Sequence, residues 1–329
     1  MTISVVIAVH NRRHLIGETL RSLLDQSRPP DQVIVVDDAS SDGTPEVVER
    51  FGADVTLIRL PTNRGPGGAR NAGLAQATGE YVQFFDSDDI ASRDFLASKL
   101  EVLLANNADI CYGPWLPVWL ENGMCRHDGF VRQARPVNGD PLEKFLESWV
   151  LFVQSCLISR RLLNEVGGYP ENMRTGEDML LVFRMLEKHP KLVHTSKPLL
   201  LMRQHPETQI STESAGAVRR AVDELVLTDT VLREISPETA RVQSKALAHW
   251  RGRHAQAVKA LNSDVIVTAT PSRLDHFLSR KHALVTRCRL AISARLAGHR
   301  IHQFYQPQML DSAYADAIRQ LGYQPLLNS

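Results

Sequence analysis

Acidic side chains cluster where a hydrophobic stretch of the sequence ends. The run Phe84-Phe85-Asp86-Ser87-Asp88-Asp89 places adjacent carboxylates directly after apolar residues. Repulsion among such carboxylates is costly unless a cation or solvent offsets it. Hard oxygen ligands suit Mg²⁺ or Mn²⁺, and a cation held by one or two carboxylates also binds diphosphate oxygens. The run therefore predicts a metal and diphosphate site, with a helix N-cap cluster as the alternative because a helix is predicted to follow.

A second acidic pair, Asp37-Asp38, lies at the end of another apolar run. A carboxylate at this position is able to accept hydrogen bonds from a nucleoside base or a ribose. The alternative is an Asx-turn, because the turn-forming residues 39–43 follow directly. The pair alone does not decide between these two interpretations.

The segment NRGPGGARN at residues 63–71 combines a flexible backbone with the cation of Arg70. Backbone amides and a guanidinium are suitable donors for phosphate or base oxygens. Arg70 occupies the place of the third glycine of a GxGxxG fingerprint, and no GK[ST] follows as it does in a P-loop. Dinucleotide binding is therefore disfavoured.

These motifs lie within an alternating pattern of strands and helices. Continuous apolar runs predict buried strands, and apolar positions at helical spacing predict helices between them. The strands are predicted at residues 3–9, 32–36, 55–60 and 80–85, and the helices at 16–24, 44–51 and 67–77. This order predicts a doubly wound α/β sheet, in which ligands bind at the carboxyl ends of the strands. The acidic groups lie at those ends.

Shorter elements follow in the second part of the sequence. We predict a helix over 92–106, short strands over 109–119, a strand over 153–159, a helix over 177–189, an extended stretch over 192–202 and helices beyond about Ser214. Residues 121–141 are predicted to be irregular and to form a flexible loop over the site.

Composition and charge exclude several classes of protein. The 329 residues are 43% hydrophobic and 23% charged, which is typical of a globular protein. A net charge of +1 gives no global reason to expect nucleic-acid binding. The four cysteines form no CxxC pair, so no zinc knuckle or dithiol redox motif is indicated. No secretory leader and no apolar run near the ~18 residues of a membrane span are seen, so a cytoplasmic protein is expected.

Taken together, three motifs resemble the family 2 glycosyltransferases, which have the GT-A fold. They read SVVIAVHN at 4–11, VVDDASSDGT at 35–44 and NRGPGGARNAGLAQATGEYVQFFDSDD at 63–89. The resemblance covers residues 2–210. It implies an α/β, Rossmann-like mixed sheet flanked by helices, with a helical C-terminal extension.

The resemblance also implies a division of the chain. A GT-A catalytic domain is expected at 1–213, with a nucleotide-sugar-binding part at about 1–113 and an acceptor-binding part at about 114–213. A helical C-terminal region is expected at 214–329.

Roles for individual residues follow from the same resemblance. Asp38 is expected to contact the nucleoside base, and Asp86-Ser87-Asp88 is expected to be the DxD motif that binds ribose and metal. The full set implied for the nucleotide is Ala8, His10, Asn11, Arg12, Asp38, Arg70, Asp86 and Ser87, and the set implied for Mn²⁺ or Mg²⁺ is Asp86, Asp88 and His205. Ala8 departs from the family pattern because it lacks the hydroxyl that related enzymes present there.

The catalytic residue is expected in the segment Gly176-Glu177-Asp178-Met179, which resembles the family's ED motif. Asp178 is the expected general base, which accepts the acceptor's hydroxyl proton in an inverting displacement. The alternative is a helix N-terminal cap. Glu177 and Trp149 are expected near the acceptor or the donor sugar, with core packing as the alternative for Trp149. For His205, the alternative to metal binding is a surface histidine.

A local excess of positive charge lies between Arg273 and Arg300. Seven Arg or Lys residues face one acid, Asp275, and apolar residues are interleaved among them. This pattern predicts either an amphipathic helix on an anionic membrane surface, near a lipid-linked acceptor, or a solvated helix against the catalytic domain or a partner subunit. Peripheral membrane contact and homo-oligomerisation are both consistent with it.

The sequence therefore predicts a metal-dependent, inverting glycosyltransferase. Its expected partners are a nucleoside-diphosphate sugar, with UDP favoured, and a glycan, lipid-linked or protein acceptor, without nucleic acid. Two alternatives are a non-catalytic nucleotide-sugar-binding module and, ranked last, a nucleotidyltransferase. Pyrophosphate as the product would identify the nucleotidyltransferase.

Overall fold

Strands and helices alternate along the first half of the chain, as the apolar pattern predicts. The computed structural model describes residues 1–147, 149–171, 173–197, 199–205, 217–261, 308–309 and 312–327. Its strands are β1 (Ile3–Val9), β2 (Gln32–Asp37), β3 (Thr56–Arg59), β4 (Tyr81–Asp86), β5 (Ile90–Ala91), β6 (Ile110–Tyr112), β7 (Trp115–Glu121), β8 (Met124–His127), β9 (Phe130–Val131), β10 (Cys156–Ser159), β11 (Leu192–His194), β12 (Leu200–Arg203), β13 (Gln308–Met309) and β14 (Gln324–Leu327).

Helices cover both faces of the main sheet, which has seven of these strands. They are α1 (Ile16–Leu24), α2 (Thr44–Glu49), α3 (Gly65–Gln76), α4 (Phe95–Asn106), α5 (Pro141–Leu146), α6 (Arg160–Glu165), α7 (Glu177–Leu186), α8 (Ala217–Glu234), α9 (Pro237–Val242), α10 (Ser244–Leu261) and α11 (Ser312–Gln320). Two buried clusters of apolar side chains, one on each face of the sheet, form most of the core.

The main sheet has seven strands within the described residues, in the order β11-β6-β10-β4-β1-β2-β3. β1 pairs in parallel with both β2 and β4, and Ala8 lies opposite Val36 on one side and Asp86 on the other. β10 pairs antiparallel with β4, so the sheet is mixed. Because the carboxyl ends of parallel strands meet at one edge, the acidic ends of β2 and β4 lie on the same side of the fold. The predicted mixed sheet flanked by helices is confirmed.

Glycines in α3 allow this helix to lie close to the sheet. A Cβ atom at Gly73 would be 2.4 Å from Cγ1 of Val6, and one at Gly67 would be 2.5 Å from the carbonyl oxygen of Pro170. The glycine-rich segment is therefore the first part of a tightly packed helix. Residues 65–71 are therefore helical and closely packed.

The prediction of an irregular loop at 121–141 was wrong for its first half. Residues up to Glu121 continue β7, and β8 and β9 follow before α5 begins. Asn122 and Gly123 connect β7 to β8 with φ angles of 51° and 75°. An Asn-Gly pair tolerates these angles at both turn positions, which makes it a strong hairpin signal. β8 becomes part of a second sheet with the order β14-β8-β7-β12-β5.

Residues near the end of the described chain contact the first part of the fold. α8 and α10 are helical as predicted, and the buried Trp250 of α10 donates a hydrogen bond from Nε1 to the carbonyl oxygen of Leu146 at 3.1 Å. β14 pairs in parallel with β8, which was not predicted. The basic segment at 273–300 lies outside the described residues. No helix in the described part of the chain is both long and apolar enough to cross a bilayer.

Lys99 of α4 is a fully buried lysine, with a relative exposure of 0%. Its Nζ atom lies over the ring of Phe95 and 3.4 Å from Oε1 of Gln83. Burial away from water lowers the pKa of Lys99 to about 7, against a smaller opposing effect of the Cys156 and Cys111 thiols. This side chain is therefore neutral in the folded protein at alkaline pH.

We expect the stability of the protein to rise with pH above pH 7 because of Lys99. Between its folded pKa of about 7 and the ordinary value of 10.5, the unfolded chain holds a proton that the folded chain has lost. Raising the pH through this window favours folding by up to about 1.4 kcal/mol per pH unit. Urea unfolding at pH 7 and pH 9 measures this, with Lys99→Met removing the effect and the exposed Lys245→Met preserving it. Equal pH dependence in wild type and Lys99→Met would contradict the assignment.

Candidate functional site

The turn after β4 carries the acidic run, and a side chain of α1 holds its backbone in place. The hydroxyl of Thr19 lies 3.1 Å from the carbonyl oxygen of Ser87 and 2.8 Å from that of Asp89. The carboxylate of Asp89 accepts a hydrogen bond from the backbone amide of Arg203 at 2.9 Å. Thr19 and Asp89 therefore hold the turn in place. Sequence reasoning missed Thr19, since its position in an amphipathic helix gave no sign of this contact.

Asp88 meets two residues that come from distant parts of the chain. Oδ2 of Asp88 lies 3.0 Å from Nε2 of His205, which follows β12, and 3.3 Å from Nε of Arg12, which follows β1. Burial acts to raise the pKa of Asp88, but the contacts with His205 and Arg12 outweigh it and lower the pKa below its usual value. The structure thus brings together Asp88 and His205, as the predicted metal site requires.

Arg70 of α3 connects the strand-end acids to the start of α7. Its Nη2 donates to Oδ1 of Asp86 at 2.8 Å, and its Nη1 lies 3.1 Å from Glu177 and 3.5 Å from Asp178. Only 7% of Arg70 is exposed. The guanidinium that was expected to hold the nucleotide therefore pairs with three carboxylates, and it fixes the position of Asp178 relative to Asp86.

Crowding of buried carboxylates changes their proton affinity. Burial and the neighbouring Asp178 charge raise the pKa of Glu177 to about 7, although Arg70 acts in the opposite direction. Burial, together with Asp88 and Asp178, also raises the pKa of Asp86. Burial and the other two acids of the run raise that of Asp89 well above its usual range. A site with these properties favours a bound cation, because a cation offsets the repulsion.

Gln154 forms a second bridge between Asp86 and Asp178. Its Nε2 lies 3.3 Å from Oδ1 of Asp86 and 3.2 Å from Oδ2 of Asp178. The predicted strand at 153–159 starts only at Cys156, because residues 153–155 form a 3₁₀ turn. That turn directs the Gln154 side chain towards the two carboxylates.

The loop after β1 lies beside the loop after β2. Nδ1 of His10 lies 2.8 Å from the carbonyl oxygen of Asp38. The backbone amide of Asn11 donates to Oγ of Ser40, and Oδ1 of Asn11 accepts from the amide of Ser41. Asn11 has a φ of 52°, a conformation that asparagine tolerates better than most residues. These contacts join the first two predicted motifs into one surface.

Asp38 caps the helix α3. Its Oδ1 accepts from the backbone amide of Arg64 at 2.6 Å, and its Oδ2 accepts from that of Gly65 at 2.9 Å. The preceding residue, Asp37, lines a cavity of about 400 Å³ at the end of β2. Other residues that line this cavity include Ala39, Ser40, Ser41, Arg59 and Leu60. The carboxylate expected at the base is therefore engaged with the protein, and the acids among the residues that line the cavity are Asp37 and Glu46.

Asp38→Ala should destabilise the protein even without nucleotide. The substitution leaves two amides at the start of α3 without their acceptor, which costs about 1–3 kcal/mol in unfolding free energy. Denaturant unfolding measures the loss, with Asp54→Ala at an exposed position as the control. If the variant unfolds like wild type and loses only nucleotide affinity, the capping role is wrong.

Trp149 packs in the protein core. It is 7% exposed, belongs to the larger apolar cluster and meets Tyr112 edge to face with ring centroids 5.9 Å apart. This placement agrees with the core-packing alternative and gives no direct evidence for contact with a sugar.

The donor set fits a hard divalent cation that also binds diphosphate. Asp86 and Asp88 supply carboxylate oxygens, and Nε2 of His205 lies 3.0 Å from Oδ2 of Asp88. No three His, Cys, Asp or Glu side chains among the described residues are grouped so as to hold a metal by themselves. Mg²⁺-type cations are commonly bound by one or two carboxylates together with substrate phosphates, so Asp86 and Asp88 are candidate protein ligands for such a cation.

Comparison with solved structures defines the class of fold. TarS of S. aureus (residues 1–349, in complex with UDP-GlcNAc) matches with a TM-score of 0.60 and 21% identity, over 83% of this chain and 78% of that one. The mannosyltransferase PcManGT of Pyrobaculum calidifontis, in complex with GDP-Man and Mn²⁺, matches with a TM-score of 0.55 and 21% identity, over 92% and 87%. The chain has the GT-A fold of glycosyltransferases.

Residues 4–167 match the model of glycosyl transferase family 2, and the chain belongs to that family. Succinoglycan biosynthesis protein ExoO of Rhizobium meliloti (strain 1021) is 35% identical over 189 residues, 55% of this chain and 54% of that protein. The putative teichuronic acid biosynthesis glycosyltransferase TuaG of Bacillus subtilis (strain 168) is 28% identical over 201 residues, 56% of this chain and 72% of that protein. The chain thus spans about half the length of the first relative.

Proposed function

We propose that this protein is an inverting, metal-dependent glycosyltransferase that moves a sugar from a nucleoside-diphosphate donor to an acceptor hydroxyl. The observation that carries the proposal is the pair of bridges, through Arg70 and Gln154, between Asp86 at the end of β4 and Asp178 at the start of α7. A strand-end acid suited to the donor and a candidate base therefore belong to one cluster.

Asp178 is proposed as the general base. Its carboxylate accepts the proton of the acceptor hydroxyl while that oxygen forms a bond to the anomeric carbon. The bond from this carbon to the diphosphate oxygen breaks, and the electron pair leaves with the nucleoside diphosphate. Attack from the face opposite the leaving group inverts the configuration. The position of Asp178 at the start of α7, where it shares Nη1 of Arg70 with Glu177, supports this role.

Asp86, Asp88 and His205 are proposed to hold Mn²⁺ or Mg²⁺. A divalent cation at this place supplies positive charge for the diphosphate as it leaves. Arg12, which already contacts Asp88 at 3.3 Å, adds a positive side chain on the same side of the cluster. The complex of PcManGT with GDP-Man and Mn²⁺ supports the choice of cation.

The nucleoside is proposed to bind between the ends of β1 and β2. The cavity beside Asp37 has the size of a small-ligand site. Ser40, which lines it, accepts a hydrogen bond from the backbone amide of Asn11 in the loop after β1. Ala8 lies near the end of β1, opposite Asp86 of β4, and Ser87 directly follows β4, so both are proposed to contact the nucleotide. The complexes of TarS with UDP and UDP-GlcNAc favour UDP as the nucleotide.

The acceptor is proposed to be a growing glycan or a lipid-linked or protein-linked sugar. The names of the relatives, which refer to succinoglycan and teichuronic acid biosynthesis, favour a polysaccharide. We propose that residues 1–213 carry out catalysis. The region 214–329 is proposed to contact a membrane surface or another subunit. Cytoplasmic action at the inner face of the membrane is consistent with such acceptors.

Product analysis tests this function. The protein is incubated with UDP-, dTDP- and GDP-sugars and Mn²⁺, with and without an acceptor panel, and the released nucleotide is identified. We expect release of a nucleoside diphosphate and formation of a β-linked product from an α-linked donor. EDTA should abolish both. Pyrophosphate would identify a nucleotidyltransferase, and donor binding without any turnover would identify a binding module.

A further inference from the structure

Gln154 is a buried amide in contact with two acids of the proposed catalytic cluster. It is 2% exposed, and its Nε2 lies within 3.3 Å of both Asp86 and Asp178. The chemistry of the neighbours fixes which way the amide points, because ionised carboxylates only accept hydrogen bonds. The NH₂ group must face the acids, and each of its two hydrogens is available for one of them.

The protein interior holds the backbone of Gln154 in place. Nε2 of Gln83, on β4, donates to the carbonyl oxygen of Gln154 at 2.8 Å, and Oε1 of Gln83 lies 3.4 Å from Nζ of Lys99. Gln83 and Lys99 are both fully buried. Side chains of β4 and α4 therefore hold the backbone of Gln154 in position, independently of any ligand.

The two bridges between Asp86 and Asp178 differ in what they supply. Arg70 brings a positive charge and contacts Oδ1 of Asp178, whereas Gln154 is neutral and contacts Oδ2 of the same group. An amide on the second oxygen limits rotation of the carboxylate without adding charge to the site. Displacement of a reacting group by about 1 Å is able to cost a factor of about 100 in rate.

We propose that Gln154 is a positioning residue, which holds the Asp178 carboxylate in the orientation needed to take the acceptor proton. This inference rests on the proposed transferase function and on Asp178 as its base. Gln154 acts through Asp178 and Asp86, and it contributes to the catalytic step rather than to donor affinity.

Two substitutions separate this role from simple filling of space. Gln154→Met keeps the length of the side chain but has no donor, and Gln154→Glu keeps the shape but replaces the donor with a group that repels both acids when ionised. We expect kcat to fall by about 10- to 100-fold for Met and further for Glu, because the carboxylate is no longer held in place. The KM for the donor should change less than about threefold in the Met variant.

A neighbouring glutamine provides the matched control. Gln133 is also 2% exposed, and it contacts Val150 and Ser155 without touching either acid. Gln133→Met should leave kcat unchanged at comparable thermal stability. Equal kcat for wild type and both Gln154 variants, or a loss that follows only the melting temperature and is shared by Gln133→Met, would overturn the proposal. Absence of turnover in the wild type would instead reject the transferase function itself.

Discussion

Asp178→Asn is expected to abolish sugar transfer while leaving donor binding intact. The asparagine retains the shape of the side chain but is unable to accept a proton, and loss of a general base costs about 10²–10⁴-fold in kcat. Arg70 keeps its contacts with Asp86 and Glu177 in this variant, so the donor side of the cluster is preserved.

Steady-state kinetics and donor titration together measure this effect. Asp25→Asn, at an exposed position after α1, is the control for a change of acid to amide. Turnover equal to wild type in Asp178→Asn would remove Asp178 from the mechanism. Loss of donor binding together with turnover would place Asp178 in the donor site.

Asp88→Asn is expected to remove the dependence of donor binding on a divalent cation. Asparagine has the size of aspartate but lacks the negative charge that holds a cation. Without the cation, the leaving group loses several kcal/mol of stabilisation. This corresponds to a fall in kcat/KM of about 10²–10³-fold.

A thermal-shift series with UDP and increasing Mn²⁺ measures the binding part of this prediction. A ligand that binds only the native state raises the apparent stability, so wild type should be stabilised by UDP much more strongly with Mn²⁺ than without it. Asp88→Asn should lose that difference, and the exposed Asp94→Asn should retain it. A metal-dependent shift of the same size in Asp88→Asn would show that Asp88 is not a ligand.

The sequence predicted the elements that depend on local pattern. The strands β1, β2 and β4 are mainly apolar runs, and β2 and β4 end in acids. Ligands bind at the carboxyl ends of parallel strands, so these acids marked the candidate site. The hairpin between β7 and β8 was also readable, since Asn122-Gly123 is a recognised turn signal. That signal was overlooked because a polar stretch was interpreted as a loop.

Other features depend on contacts between distant parts of the chain. Asp88 meets His205 across 117 positions, and Gln154 reaches Asp86 across 68. β14 pairs with β8 although about 200 residues separate them. No local pattern distinguishes Gln154 from any other buried glutamine, so its position near the acids became clear only from the three-dimensional structure.

The contacts of Arg70 add to the role that its motif implied. The cation was expected to hold the nucleotide, but its closest partners are Asp86 and Glu177. A buried guanidinium is stable only when its donors are paired, and the nearest charges in this fold are the acids of the same cluster. Both groups are visible in the sequence, but only the fold, in which α3 packs on β1 and β2, brings Arg70 to Asp86 and Glu177.

A crystal structure with UDP and Mn²⁺, with the anomalous signal of manganese recorded, tests the central claim most directly. The account predicts a manganese peak within about 2–2.6 Å of a carboxylate oxygen of Asp88 and of the diphosphate. It also predicts the uracil in the cavity beside Asp37, and Asp178 on the opposite side of the donor's sugar position from the diphosphate. A nucleotide bound elsewhere on the protein, or a manganese peak away from Asp86, Asp88 and His205, would contradict it.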